Sequence, residues 1–263
     1  MSLGSGSSGN CYYLEAGGKA LLVDAGVGIR TMRKTFNDYG LKMDNLYAIV
    51  VTHDHADHIK AVGNLSMKYG LPVYATPRVH EGMQRSYCMT KKIEKERRLL
   101  LAKEETVRIG AFEVTCFEVP HDSTDHTGYR ITAEGKTFVF LTDVGHVTPT
   151  IIRYVEEAEY LVLEANYDEG MLREGRYPFH LKQRISGGSG HLSNTLMARL
   201  LAEHFPKALK HLWLCHLSKE NNTPEKAMKT LADELALRGI SMEERGVKAT
   251  PLRRTLPSEL YHL

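Results

Sequence analysis

The sequence predicts a mixed α and β fold in one domain, and two observations support this prediction. Short apolar runs bounded by glycine or proline alternate along the chain with segments whose apolar residues recur at helical spacing. No internal repeat and no linker interrupts the 263 residues, a length that suits one large domain with an ample core. We therefore expect strands and helices to alternate from one end of the chain to the other.

The composition is that of a globular protein with a mildly basic charge balance. The formal net charge of +2 permits a polyanionic partner without requiring one. The four cysteines are widely spaced, with no C-x-x-C pair, and are interpreted as buried thiols of a reducing compartment. No apolar run reaches the roughly 18 residues of a membrane span, and no secretion signal is present. The sequence predicts a cytoplasmic protein that does not enter a membrane.

A β-hairpin is predicted near the N-terminus, and an acidic residue follows it. Residues 11–14 and 20–23 are apolar runs separated by Gly17 and Gly18, which is the pattern of two paired strands. Asp24 comes directly after the second run. An acid at this position either orients a metal-ligating histidine or caps the helix predicted to follow, and both interpretations stay open.

The motif H-x-H-x-D-H at residues 53–58 is the strongest signal in the sequence. It lies between residues 46–51, which predict a buried strand, and residues 59–67, whose spacing predicts a helix. Imidazole and carboxylate are ligands for zinc, manganese and iron. A merely polar loop with four such groups would be costly to desolvate. We therefore predict that this loop serves two neighbouring metal ions through His53, His55, Asp57 and His58.

Three further residues at the ends of predicted strands are candidate metal ligands. His121 leaves a strand-like segment and is suited to complete a three-histidine site with two histidines of the motif. Asp143 directly follows an apolar run, where a carboxylate can bridge two ions. His216 follows the last clear strand of the sequence and is the remaining candidate ligand.

Two segments rich in small residues are candidate phosphate sites. Residues 1–10 fit a cloning linker or a loop whose backbone amides bind an anion equally well. Residues 187–190 lead into His191, and Ser193 and Asn194 are suited to cap the helix that follows. Because a helix N-terminus attracts phosphate, His191 is either a phosphate ligand or general acid, or a plain surface histidine.

The rest of the chain is assigned more coarsely. Residues 78–98 form the most basic region, which is either a solvated helical face or a nucleic-acid groove. Beyond Gly239 we expect a polar, basic tail with one last helical turn. Apolar spacing predicts further helices over residues 29–39, 195–204 and 224–237 and further strands over residues 72–75, 106–119, 129–131, 137–141, 160–163 and 209–215.

Taken in order, these motifs resemble those of the metallo-β-lactamase fold, and the resemblance covers nearly the whole chain. The motifs that carry it are residues 22–26 (LVDAG), residues 53–58, His121, residues 141–143 (LTD) and His216. The chain is also similar to the YycJ/WalJ branch of this superfamily at residues 5–10 (SGSSGN), 120–122 (PHD), 176–178 (RYP), 190–194 (GHLSN), 216–218 (HLS) and 221–222 (NN).

The resemblance implies an α+β fold, an αββα four-layer sandwich in a single domain over residues 1–263 with no β-CASP insertion. It also implies a dinuclear site, with two divalent ions of zinc, manganese or iron. Carried over residue by residue, the site has one ion on His53, His55 and His121, a second on Asp57, His58 and His216, and Asp143 between them.

Members of the branch are DNA exonucleases of 5′-to-3′ direction, so the resemblance implies DNA as the substrate of a metal-activated water. Asp57 and Asp143 would orient that water, and His191 would bind phosphate. The resemblance makes the opening tract native, although family members usually carry several residues before it, which implies a truncated start. The further phosphate-binding candidates are Ser7, Ser8, Asn10, Ser193 and Asn194.

The chain departs from its relatives in two respects, and other functions compete with DNA hydrolysis. It lacks room for a β-CASP domain, and it has Asp125-His126-Thr127 where the branch usually has a proline after the aspartate. A small phosphodiester, a thioester or a lactone is an alternative substrate. A metal-loaded scaffold that binds nucleic acid or protein without turnover is the third hypothesis, although an open dinuclear site favours catalysis.

Overall fold

All 263 residues are described in a computed structural model, in which the chain forms two compact units. The first unit comprises Met1–Cys116, Ser123–Thr127 and Arg253–Leu263, and the second comprises Phe117–Asp122 and Gly128–Leu252. The strands form two sheets, one of six strands and one of seven. The prediction of a mixed fold of strands and helices is therefore confirmed, whereas the assignment to one domain stays a prediction.

The first unit contains the six-stranded sheet, whose strands follow one another in chain order. Its strands are β1 (Ser2–Gly4), β2 (Cys11–Ala16), β3 (Lys19–Val23), β4 (Leu46–Val50), β5 (Val73–Ala75) and β6 (Arg98–Leu100). Its helices are α1 (Ile29–Asp38), α2 (Ala56–Ile59), α3 (Val62–Tyr69) and α4 (Pro77–Arg85), and the unit also holds β7 (Thr106–Ile109) and most of β8 (Phe112–Glu118).

The predicted hairpin is confirmed as β2 and β3. Ala16 pairs with Lys19, so only Gly17 and Gly18 form the loop, and both have a positive φ, of 57° and 71°. Two-residue hairpin loops of this kind need a positive φ at both positions, which glycine adopts without strain. From β3 onward the sheet is parallel, so the carboxyl ends of these strands meet at one edge.

The second unit contains five strands of the other sheet, in the order β13-β12-β11-β10-β9. Strands β10, β11, β12 and β13 are parallel, and helices α8 and α9 pack their apolar residues against the core of this unit. The strands are β9 (Thr127–Ala133), β10 (Lys136–Leu141), β11 (Tyr160–Glu164), β12 (His211–Cys215) and β13 (Lys248–Pro251), and the helices are α5 (Pro149–Glu156), α6 (Glu169–Glu174), α7 (Phe179–Ser186), α8 (Asn194–Glu203) and α9 (Pro224–Ala236).

The C-terminal segment corrects the sequence prediction. Residues 248–251 are not part of an irregular tail but form β13, which pairs in register with β12, for example Leu212 with Ala249. The predicted last helical turn is wrong, because residues 240–263 contain no helix. Strand pairing with a distant segment overrides the weak local pattern. None of the helices combines the length and the apolar character that crossing a bilayer requires.

Candidate metal-binding and catalytic residues

In the first unit, His53 and His55 lie on the loop between β4 and α2, and His58 lies in α2 itself. The ring centroid of His53 lies 4.6 Å from that of His55 and 4.1 Å from that of His58. The side chains of His53 and His58 are fully buried, and Asp57 Oδ2 lies 3.6 Å from His58 Nε2. The motif thus concentrates imidazole and carboxylate groups at the carboxyl end of one buried strand.

Asp24 lies beneath this loop and accepts three hydrogen bonds. Its Oδ1 accepts from Thr52 N at 2.8 Å, and its Oδ2 accepts from Thr52 Oγ1 at 2.8 Å and from His58 Nδ1 at 2.7 Å. Asp24 is fully buried, with φ of 60°. A non-glycine residue in the left-handed region is strained and is held there by its surroundings. The N-cap of α1 is Gly28, so Asp24 orients a histidine and does not cap the helix.

These contacts decide which ring nitrogen carries the proton. An ionised carboxylate only accepts, so His58 bonds to Asp24 through a protonated Nδ1, and the neutral ring has its lone pair on Nε2. Thr52 Oγ1 uses its hydrogen on Asp24, so it accepts from His53 Nδ1 at 3.0 Å. Both rings therefore present an unprotonated Nε2, the form that binds a metal ion.

The opening tract packs against the same loop through Asn10. The Asn10 side-chain amide lies 2.9 Å from His58 Nε2 and 3.2 Å from Asp57 Oδ2, and its oxygen accepts from Gly6 N at 2.8 Å. Gly26 is required nearby, because a Cβ there would lie 1.5 Å from the Asp57 carbonyl oxygen. Asn10 is buried, whereas Ser7 and Ser8 are exposed, so phosphate binding by these three residues stays a prediction.

The segment at Asp125 and His126 also lies beside the motif. His126 forms an isolated bridge with His53. Their ring centroids are 4.5 Å apart. Asp125 next to it accepts from Thr76 Oγ1 at 2.6 Å and from Lys103 Nζ at 2.7 Å. The segment is therefore fixed by polar contacts.

In the second unit, three acidic or imidazole side chains meet at the carboxyl ends of adjacent parallel strands. Asp143 follows β10, Glu164 ends β11 and His216 follows β12. Asp143 and His216 have φ of 56° and 54°, strained conformations that often mark functional sites. Together with His191 they bring four potential ligand atoms within 4.8 Å of one another. The predicted strand-end residues Asp143 and His216 are thus brought together with His191.

Glu164 holds this group in place, although the sequence analysis did not single it out. Its Oε1 lies 2.8 Å from His191 Nδ1 and 3.1 Å from His216 Nδ1. Its Oε2 accepts from Val144 N at 2.7 Å and from Leu192 N at 2.9 Å. The signal that could have identified Glu164 is its position, since it follows an apolar strand as Asp24 and Asp143 do.

Glu164 and His191 form an ion pair in which the carboxylate is fully buried and the imidazole is partly buried. Burial alone would raise the pKa of Glu164, but the charge and hydrogen bond of His191 lower that pKa below its usual value. Burial also opposes the charged form of His191, yet the Glu164 carboxylate raises the pKa of His191 above its usual value. The pair therefore holds an ionised carboxylate next to a ring that retains a proton, which suits donation to a phosphate oxygen.

His121 is oriented by the Gly-His loop. Its Nδ1 donates to the Gly190 carbonyl oxygen at 2.9 Å, which puts the lone pair of the neutral ring on Nε2. Ser193 caps α8 as predicted, because its Oγ accepts from Leu196 N at 3.2 Å. Asn194 is buried, and its amide pairs with that of Asn222 at 2.8 and 2.9 Å. Both side chains have structural partners, so their role in phosphate binding stays a prediction.

The donor set in these two units fits divalent transition metals. Nitrogen and carboxylate oxygen are the ligands that zinc, manganese and iron share. The buried rings of His53, His58 and His121 each make a hydrogen bond through Nδ1, an arrangement typical of metal-binding histidines. The chemistry of the residues present is therefore that of a metal centre.

Comparison with known proteins extends this finding. The profile of the β-lactamase superfamily domain matches residues 19–212. Exodeoxyribonuclease WalJ of Streptococcus pneumoniae is 38% identical over 234 residues, which cover 89% of this chain and 87% of that protein. Exodeoxyribonuclease YycJ of Bacillus anthracis is 34% identical over 242 residues, which cover 92% of this chain and 90% of that protein.

Solved structures support the same fold. The metallo-β-lactamase fold protein YhfI of Bacillus subtilis matches with a TM-score of 0.70 at 19% identity, covering 97% of this chain and 95% of that one. Zn²⁺-bound PqqB of Methylobacterium extorquens matches with a TM-score of 0.70 at 18% identity, covering 99% of each chain. The architecture is that of the metallo-β-lactamase fold, and the chain belongs to the β-lactamase superfamily, in the branch of WalJ and YycJ.

Proposed function

We propose that the protein is a dinuclear, metal-dependent exodeoxyribonuclease that degrades DNA in the 5′-to-3′ direction. The observation that carries the proposal is the similarity over 89% and 92% of the chain to two relatives named as exodeoxyribonucleases. The oriented imidazoles of both units support it, because a nuclease of this superfamily needs metal ligands in the correct tautomer. The direction follows from the resemblance to the YycJ/WalJ branch.

We assign the metal ligands as the resemblance implies. Two divalent ions, when bound, supply Lewis-acid chemistry that activates water near neutral pH and neutralises charge on the phosphate. Zinc, manganese and iron all suit the donor set. The proposed ligands are His53, His55 and His121 for one ion, Asp57, His58 and His216 for the other, and Asp143 for both.

The other residues of the site bind and orient the substrate. Asp57 and Asp143 position the attacking water, and the protonated ring of His191 donates to a phosphate oxygen or to the leaving oxygen. Asp24 and Glu164 keep the imidazoles in place. The four cysteines form no disulfide with one another, which supports a location in the reducing cytoplasm.

The proposal is tested with end-labelled single-stranded and double-stranded DNA in the presence of manganese or zinc. We expect progressive shortening from the 5′ end, and we expect EDTA to stop it. The same preparations are assayed with bis(p-nitrophenyl) phosphate. Hydrolysis of that small diester with no loss of DNA would reject the DNA assignment and favour a small phosphodiester as substrate.

The ligand assignment is tested through His55. His55→Ala should lower the bound metal and abolish hydrolysis together, because a lost ligand opens the site. His262→Ala is the matched control, since His262 is exposed in the C-terminal segment and should leave both quantities unchanged. Full activity of His55→Ala after its metal content has fallen would refute the assignment.

A further inference from the structure

Helix α7 is unusual because none of its residues is buried. Helices in globular proteins normally gain their stability by burying an apolar face. Phe179 at its start is 74% exposed. His180, Gln183 and Arg184 are also exposed. Gln183 lies four positions after Phe179 and three after His180, and Arg184 lies four after His180, so each of the four residues has a neighbour among the others on the helix surface. We call these four residues the α7 face.

The stretch of sequence that holds this face contains no acidic residue, although Asp122 from outside the stretch pairs with Arg184. Residues 175–191 contain Arg176, Lys182 and Arg184 together with two histidines, and they contain no aspartate or glutamate. A local excess of positive charge attracts a polyanion and steers its approach. A purely solvated helix would gain nothing from exposing a phenylalanine, whereas a nucleic-acid surface combines cations with aromatic rings.

Hydrogen bonds join α7 to the proposed phosphate-binding residues of the same unit. Arg184 Nε donates to Asp122 Oδ2 at 2.5 Å, next to His121. His191 N donates to the Ile185 carbonyl oxygen at 2.9 Å, and the Gly190 carbonyl oxygen accepts from His121. The helix is therefore fixed relative to His121 and His191, so a strand whose phosphate binds at His191 has α7 beside it.

We propose that the α7 face binds the single-stranded part of a DNA substrate, with Phe179 stacking on a base and Arg184 close to the phosphates. This inference rests on the proposed nuclease function and identifies the form of DNA that the site accepts. A ring on the protein surface can stack on a base inside a strand only when that base is unpaired and turned outward. The surface thus suits a single strand or the frayed end of a duplex.

Phe179→Ala tests the inference in the metal-loaded enzyme. We expect the KM for a 5′-phosphorylated single-stranded oligonucleotide to rise about tenfold, the loss typical of one stacked base. The dissociation constant of a hydrolysis-resistant phosphorothioate oligonucleotide should rise by the same factor. Hydrolysis of bis(p-nitrophenyl) phosphate should not change, because that substrate has no base to stack.

Two further variants separate stacking from general damage. Phe179→Trp should restore the KM, because tryptophan also stacks. Leu237→Ala removes a side chain that is 79% exposed at the end of α9, and it should leave the KM unchanged. Oligonucleotide binding by Phe179→Ala that equals the unaltered protein, or a tryptophan variant as weak as the alanine variant, would overturn the inference. Absence of DNA degradation by the unaltered protein would instead count against the proposed function.

Discussion

The two compact units orient their imidazoles in the same way but to different extents. In the first unit Asp24 accepts a hydrogen bond from one imidazole, that of His58. Thr52 Oγ1 donates to Asp24 and accepts from His53 Nδ1, so Asp24 is linked to His53 only through Thr52. In the second unit Glu164 contacts the imidazoles of both His191 and His216. A buried carboxylate at a strand end is thus a general means of fixing a ring tautomer in this fold. The orientation of the imidazoles in the second unit therefore depends more strongly on one carboxylate, that of Glu164.

The backbone around the two carboxylates also differs. Asp24 has a φ of 60° and lies just beyond β3, so its position depends on a strained turn. Glu164 is the last residue of a regular strand, and two backbone amides donate to its Oε2. Because the second carboxylate is held by backbone amides, a change in its side chain should alter the histidines with little effect on the fold.

The largest effect is expected for Glu164→Gln. The side-chain oxygen of glutamine can still accept hydrogen bonds from the backbone amides of Val144 and Leu192. Its NH₂ group would then face the Nδ1 atoms of His191 and His216. Those rings would have to accept at Nδ1 and carry their proton on Nε2, which cannot bind a metal. We expect kcat/KM for DNA to fall by roughly 1,000-fold or more, with a lower metal content by elemental analysis.

The matched control for this variant is Glu159→Gln. Glu159 precedes the other end of β11, where it accepts from Thr137 N and Lys210 Nζ at 2.9 and 2.8 Å. Its replacement should leave metal content and kcat/KM unchanged. Equal losses in the two variants would mean that damage to the strand, and not the tautomer of the histidines, causes the effect.

A smaller and more specific effect is expected for His191→Ala. The variant removes the protonated ring that we place at the phosphate but keeps the contact between Glu164 and His216. We expect kcat to fall about 100-fold, which is within the range of general acid catalysis, while the metal content stays the same. Loss of metal in this variant would instead make His191 a ligand.

The smallest of the three effects is expected for Asp24→Asn in the first unit. Asparagine tolerates a positive φ as aspartate does, so the turn should persist, but its amide would disfavour the Nδ1-protonated ring of His58. We expect metal affinity to fall about 10- to 100-fold, measured by competition with a chelator. Asp38→Asn, which alters only a surface pair with Lys34, is the control. An unchanged affinity would show that Asp24 has no influence on the ligand.

Site residues that stand in a recognisable local sequence pattern were predicted from the sequence, and site residues without such a pattern were not. The motif at residues 53–58 concentrates its histidines within six positions, and Asp24 and Asp143 stand out because each follows an apolar run. Glu164 has the same position but was passed over, since its partners His191 and His216 lie 27 and 52 residues away in the chain. Nothing local marks a carboxylate whose purpose depends on such distant residues.

Helix α7 and strand β13 show the same limit for the fold. In α7 only Leu181 and Ile185 repeat at helical spacing, and residues 248–251 become a strand only because they pair with β12. In neither segment do apolar residues repeat often enough for a single sequence to predict the helix or the strand. By contrast, strands β3, β4, β10, β11 and β12 were all predicted, because each contains a continuous apolar run.

The sequence by itself determined the alternation of strands and helices, the histidines and carboxylates available to a metal, and the family. These depend on the order and spacing of nearby residues. Only the tertiary structure decided which carboxylate holds which ring, which ring nitrogen keeps its proton, and that Phe179 faces solvent. The physical reason is that hydrogen-bond partners and burial are set by distances between residues far apart in the chain, and packing alone determines those distances.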